Sequence, residues 1–143
     1  LTYSLADTLI LGKNTYYDDP EEGYEIVLNL SSEDIDHLIK AKNALTDVNN
    51  MLITTTKDFD NNNVCEFIFG DSTGYSNKIS YQMNGDIKET GISIPYDSDI
   101  FKDILNANKD QNIGSLKLSK TGILKFNFNS DDIESEYFIA RNE

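Results

Sequence analysis

The sequence predicts an α+β domain made of two copies of one β-α-β-β-β unit. Three observations carry that prediction. Apolar residues alternate in short runs, separated by Asn-, Gly- and Ser-rich segments, which is the pattern of half-buried strands. Two intervals carry a helical pattern instead, each opened by a capping residue and carboxylates at the positive end of the helix dipole. The order of elements that begins at Tyr24 starts again at Ile92.

Residues 5–11 read as one strand. Gly12 to Gly23 enclose Tyr16-Tyr17-Asp18-Asp19-Pro20-Glu21-Glu22, a connector in which the proline rules out a central strand. The first unit covers 24–87. It has a strand at 24–30, then Ser31-Ser32-Glu33-Asp34 as a helix opener with serine as N-cap. Ile35, Leu38, Ile39 and the stem of Lys42 form the apolar stripe. Strands follow at 51–56, 64–69 and 78–83. The second unit covers 88–143. It has a short strand at 92–94, a helix opened by Asp97-Ser98-Asp99 and carrying Phe101, Ile104 and Leu105, then strands at 115–119, 123–128 and 136–140.

The two units overlay. Ser32, Ile35, Leu38, Ile39 and Ala41 fall on Ser98, Phe101, Ile104, Leu105 and Ala107 at one constant offset. Further on, Cys65, Phe67 and Phe69 fall on Leu124, Phe126 and Phe128, and Tyr81 falls on Tyr137. The offset changes only across polar loops, where deletions cost little. Neither unit can bury both its helix stripe and its strand face alone. The expectation is therefore two adjacent helices packed on one shared antiparallel sheet, with their polar flanks turned the same way.

Composition narrows the function. The chain has 143 residues, 38% hydrophobic and 10% aromatic, enough for a core of its own. A net charge of −13 repels phosphate over most of the surface, so broad groove-reading DNA binding is not expected. No apolar run approaches membrane-spanning length and no secretory signal opens the chain. Leu1 is not a start methionine, which suggests a trimmed or partial product. Cys65 and His37 are the sole residues of their types, so no intrachain disulfide, Cys-based metal site or Cys/His nucleophile pair is expected. Cys65 reads as a structural thiol in an apolar strand.

Catalytic and metal signatures are weak. Asp58-Phe59-Asp60-Asn61-Asn62-Asn63 has the opening of a calcium loop, but Asn63 stands where glycine belongs and Phe69 where the last acid belongs. Asp131-Asp132 is an ordinary pair in so acidic a chain. There is no P-loop and no Gly-x-Ser-x-Gly. No metal, cofactor or catalytic residue is expected.

With this pattern in place, the stretches Leu30-Ser31-Ser32-Glu33-Asp34-Ile35, Ile94-Pro95-Tyr96-Asp97-Ser98-Asp99-Ile100-Phe101, Gly114-Ser115-Leu116-Lys117-Leu118-Ser119 and Glu136-Tyr137-Phe138-Ile139-Ala140-Arg141 carry a resemblance. The sequence resembles the C-terminal half of sliding clamps, the DNA polymerase processivity factors, and most of all those of tailed phages. It covers roughly residues 5–143. What this implies is the DNA clamp fold in a closed ring, trimeric in phages, with helices around the hole and sheets outside. The partners implied are encircled double-stranded DNA, a DNA polymerase, an ATP-driven clamp loader and further clamp subunits, with no membrane and no chemistry. The implied location is the cytoplasm of an infected bacterial cell. On the same resemblance, residues 1–11 correspond to the last strand of a missing first domain and 12–23 to the interdomain connector.

The resemblance also assigns candidate residues. His37, Lys40, Lys102 and Lys109 would face DNA, with Lys42 nearer the packed side; ordinary solvated lysines are the plain alternative. Lys78, Ile79, Ser80, Tyr81, Gln82 and Met83 would be the edge strand that meets the next subunit. Tyr16, Tyr17, Pro20, Ile139 and Ala140 would form the pocket for a partner peptide, since aromatics are favoured anchors. Two other readings remain: a self-assembling virion or tail protein, and a small hydrolase. A duplicated helix pair on shared sheet structure argues against the first, and the scarcity of His and Cys against the second.

Overall fold

The computed structural model describes residues 8–10, 20, 23–45, 49–70, 78–109, 113–129 and 134–142. The element order is β1 (Thr8–Ile10), β2 (Ile26–Leu30), α1 (Ser32–Asn43), β3 (Asn50–Lys57), β4 (Asn63–Gly70), β5 (Lys78–Asn84), β6 (Asp86–Ile87), β7 (Ser93–Asp97), α2 (Ser98–Ala107), β8 (Ile113–Leu118), β9 (Leu124–Asn129) and β10 (Glu134–Ile139). The expected duplicated order is present, as β2-α1-β3-β4-β5 and β7-α2-β8-β9-β10. The short β6 was not expected.

Both helices start where their caps require. Ser31 accepts from the Asp34 amide while the Asp34 side chain accepts from the Ser31 amide, a reciprocal capping box. Asp97 caps α2 by accepting from the amides of Asp99 and Ile100. Each helix turns one stripe inward: Ile35, Leu38, Ala41 and the stem of Lys42 on α1, and Phe101, Ile104 and Leu105 on α2. The helices lie side by side. The buried Lys42 Nζ pairs across them with Asp99 Oδ1 at 3.2 Å.

The expectation of one continuous sheet is corrected. A six-stranded sheet runs β1-β10-β9-β8-β2-β6, and a four-stranded sheet runs β5-β4-β3-β7. The units exchange their first strands. β2 pairs antiparallel with β8 of the second unit, and β7 pairs antiparallel with β3 of the first. Apolar periodicity states which face of a strand is buried, not which strand lies beside it, so this exchange is invisible to pattern reading. Each first strand leads directly into its helix, with Ser31 and Asp97 as the caps.

The core sits where helices and both sheets meet. Phe101 is fully buried, with ring centroids 5.8 Å from Phe67 and 6.3 Å from Phe69 on one sheet and 5.4 Å from Phe126 on the other. The sheets are also tied at their margins. Asn63 Nδ2 donates to the Ile87 carbonyl at 2.9 Å, the Tyr96 hydroxyl donates to the Gly122 carbonyl at 2.9 Å, and the Asn142 amide donates to the Pro95 carbonyl at 2.8 Å. Pro95 is tolerated because β7 is an edge strand. The segment read against a calcium loop is the β3–β4 turn. Asp58 Oδ1 accepts from the amides of Asp60 and Asn62, and Asn61 takes φ 65°.

Candidate nucleic-acid and partner interfaces

The helix pair presents a polar face on the side away from its buried stripes. On α1, Glu33, Asp36, Lys40 and Asn43 recur at helical spacing and are all exposed. On α2 the exposed stripe is Asp99, Asp103 and Asn106. Lys40 pairs with Asp36 at 2.9 Å, and Lys102, half-buried, approaches Asp103 at 3.9 Å. The Lys40 hydrogen bond holds the Asp36 carboxyl below its ordinary value against slight desolvation, and the charges of Lys40, His37 and Lys109 act the same way. Lys109, just beyond α2, is exposed. Lys42 lies beneath this face, 4% exposed, donating to the Leu45 carbonyl as well as pairing with Asp99.

His37 sits on α1 beside the neighbouring edge strand. Its ring packs on Tyr81 of β5 with centroids 5.5 Å apart. The Tyr81 hydroxyl donates to Asp34 Oδ1 at 2.7 Å, and Asp34 Oδ2 accepts from the Ser31 amide and hydroxyl. Burial opposes ionisation of Asp34, but the bonds from Ser31 and Tyr81 outweigh it and hold this carboxyl below the usual range. Burial first, then the bond to Asp34, pushes the Tyr81 hydroxyl up to about 12. The structure thus joins two sets of candidates, one from the helix and one from the edge strand, that sequence reasoning kept apart. The Tyr81–Asp34 bond spans 47 residues, and no local pattern announces it.

Among the described residues β5 pairs with β4 alone and ends its sheet. Lys78, Ser80 and Gln82 are exposed, Ile79 and Tyr81 half-buried and Met83 buried. On the opposite sheet, β10 is flanked by β9 on one side and by β1, in parallel register, on the other. The far side of β10 is therefore occupied by Thr8–Ile10.

Of the pocket candidates, Tyr16 and Tyr17 lie outside the described residues. Pro20 accepts from the Gly23 amide in a turn where Gly23 has φ 80°. Ile139 belongs to the core and Ala140 is half-buried. Phe138 points to the other face of β10, where it too is buried, under the Lys125 Nζ at 5.3 Å. Lys125 also pairs with Glu136 at 3.2 Å.

Among the described residues no group of three or more His, Cys, Asp or Glu side chains is gathered as a metal ion would need. Burial pushes the Cys65 thiol up to about 12, with Glu66 adding to it, so it is a poor nucleophile. No helix among the described residues is long and apolar enough to cross a membrane.

Two helices side by side, backed by two sheets that exchange strands, are matched among solved structures. The Proliferating Cellular Nuclear Antigen of Entamoeba histolytica superposes with a TM-score of 0.67 at 13% identity, covering 92% of this chain and 51% of that one. The β clamp of Helicobacter pylori bound to a DNA ligase peptide superposes at 0.55 with 15% identity, covering 91% of this chain and 34% of that one. The same β clamp with diflunisal gives 0.59 at 16% identity, covering 91% and 35%. This is the sliding-clamp fold. At such identities the likeness is one of fold. The chain spans about half the length of the first of these clamps and about a third of the second. No protein-family model matches the sequence, and no curated protein does.

Proposed function

We propose that this chain is a subunit, or a piece of a subunit, of a sliding clamp that encircles duplex DNA and tethers a replicative polymerase. It performs no chemistry of its own. Residues 1–23 act as the terminal strand of a preceding domain plus the connector, and 24–143 as one clamp-type domain. The observation that carries the reading is the adjacent helix pair of two duplicated units, backed by sheets with an open edge at β5. That pair also supports the clamp over a self-assembling virion protein.

In this reading the polar helix face looks into the hole. The β5 edge, Lys78 to Met83, meets the next subunit in a head-to-tail contact that closes into a ring, a trimer of two-domain subunits as in phages. A clamp loader opens that contact. The polymerase peptide docks between the connector, with Tyr16, Tyr17 and Pro20, and the tail at Ile139 and Ala140. The location is the cytoplasm of an infected bacterial cell.

The test is light scattering with electron microscopy on this chain joined to the clamp-type domain proposed to precede it. Closed rings support the reading. A strict monomer at every concentration defeats it.

A further inference from the structure

The strands at the ends of the two sheets are treated differently. The β6 and β7 ends are tied to the opposite sheet, through Asn63 to the Ile87 carbonyl and through the Asn142 amide to the Pro95 carbonyl. The β5 end meets no further strand among the described residues. The fourth end would be β10, but β1 lies along it. Thr8, Leu9 and Ile10 pair in parallel with Glu136, Tyr137 and Phe138. These positions lie inside β10, which runs Glu134–Ile139 and is held over its whole length by β9 on the other side.

A bare strand edge is a template for another strand. With β5 and β10 both bare, β5 of one copy would add to β10 of the next. Such a contact uses two different surfaces, and each added copy offers a fresh one, so it grows into filaments unless the rotation closes. An incoming strand of full length must pass through the three positions that β1 fills. We propose that β1 is an intrachain cap that withholds β10 from a second copy of this chain and leaves β5 as the edge for assembly. This rests on the clamp reading for what β5 is kept for, the next subunit of a ring. Parallel pairing is slightly weaker per residue than antiparallel pairing, and β1 supplies three residues. The cap holds because it belongs to the same chain, at an effective concentration that a second copy does not reach in dilute solution.

The experiment uses the whole chain, followed by sedimentation velocity over a concentration series and by hydrogen exchange over residues 134–139. The variant is Leu9→Pro/Ile10→Pro. Successive amides along a strand point to opposite sides, so one of the two prolines removes an amide that faces β10. β1 is a short end strand, so the fold is expected to persist, and melting curves check that. The wild type should sediment as a monomer, with slow exchange in β10. The double variant should exchange faster there and associate as concentration rises. Adding Ile79→Lys should return it to the monomer. Ile79 is half-buried and packs on the core from β5, where a lysine reaches water only while no strand lies alongside. Exchange in β10 that is the same with and without the prolines overturns the proposal. So does a double variant that stays monomeric, or one that still associates with Ile79→Lys in place. A wild type that associates as readily as the double variant overturns it too. The ring reading is tested on the chain joined to a preceding domain, so a failure there and a failure here are told apart.

Discussion

Replacing Tyr81 by Phe removes one hydroxyl and leaves in place the ring that packs on His37. The bond lost is charge-assisted and short, 2.7 Å from the Tyr81 hydroxyl to Asp34 Oδ1. Bonds to charged groups contribute about 1.5–3 kcal/mol when their loss strands a buried partner. Asp34 is half-exposed and keeps its two contacts from Ser31, so water can replace the hydroxyl. The expected loss at neutral pH is therefore about 1 kcal/mol, a melting-temperature drop of roughly 3–4 °C for a chain of this size. The pH dependence follows from the direction of the Asp34 shift. A carboxyl held low in the folded state contributes stability above its unfolded value and loses it as pH falls through the folded value. Tyr81 supplies part of that shift. The gap between wild type and Tyr81→Phe should thus narrow as pH falls below the ordinary carboxylate range. Denaturation at neutral and acid pH measures it. No loss at neutral pH, or a gap of the same size in acid, would refute the reasoning.

Phe101→Ala should cost about 3–5 kcal/mol in chemical denaturation, since the ring it removes joins both sheets and the site cannot collapse from either side. Gly122→Ala should destabilise by about 1 kcal/mol or more by the same measurement. Gly122 has φ 109°, and an added Cβ would stand 2.8 Å from Arg141 Cδ. Cys65 should react with a thiol reagent only as fast as the protein opens, because the group is buried and its ionisation is pushed up to about 12. A fast reaction in native buffer would count against the burial described.

Much of this fold is legible in the sequence, and the legible part is local. Ser31 and Asp97 announce the helices because capping chemistry acts within three residues. The core phenylalanines announce their strands because alternation is a property of each strand alone. The overlay of the two units placed Phe67 on Phe126 and Phe69 on Phe128, and these rings do occupy equivalent strands, β4 and β9. What stayed hidden is relational. β2 pairs with β8 and β7 with β3 across long stretches of chain, which no local pattern states. The candidate interfaces follow the same division. Lys40 and Lys102 were recognisable as cations on polar faces, but their carboxylate partners decide what they can do. Ile139 was placed in the peptide pocket by its position in a tail motif, and the alternation of β10 turns it into the core.

The central claim is enclosure, and a cut in the DNA tests it most directly. The chain, joined to the domain proposed to precede it, is loaded onto nicked circular duplex by a clamp loader, and bound protein is measured before and after the circle is linearised. Protein that survives a salt wash on the circle and leaves once an end is available is the predicted result. Equal retention on circular and linear DNA, or equal loss from both, would contradict the account.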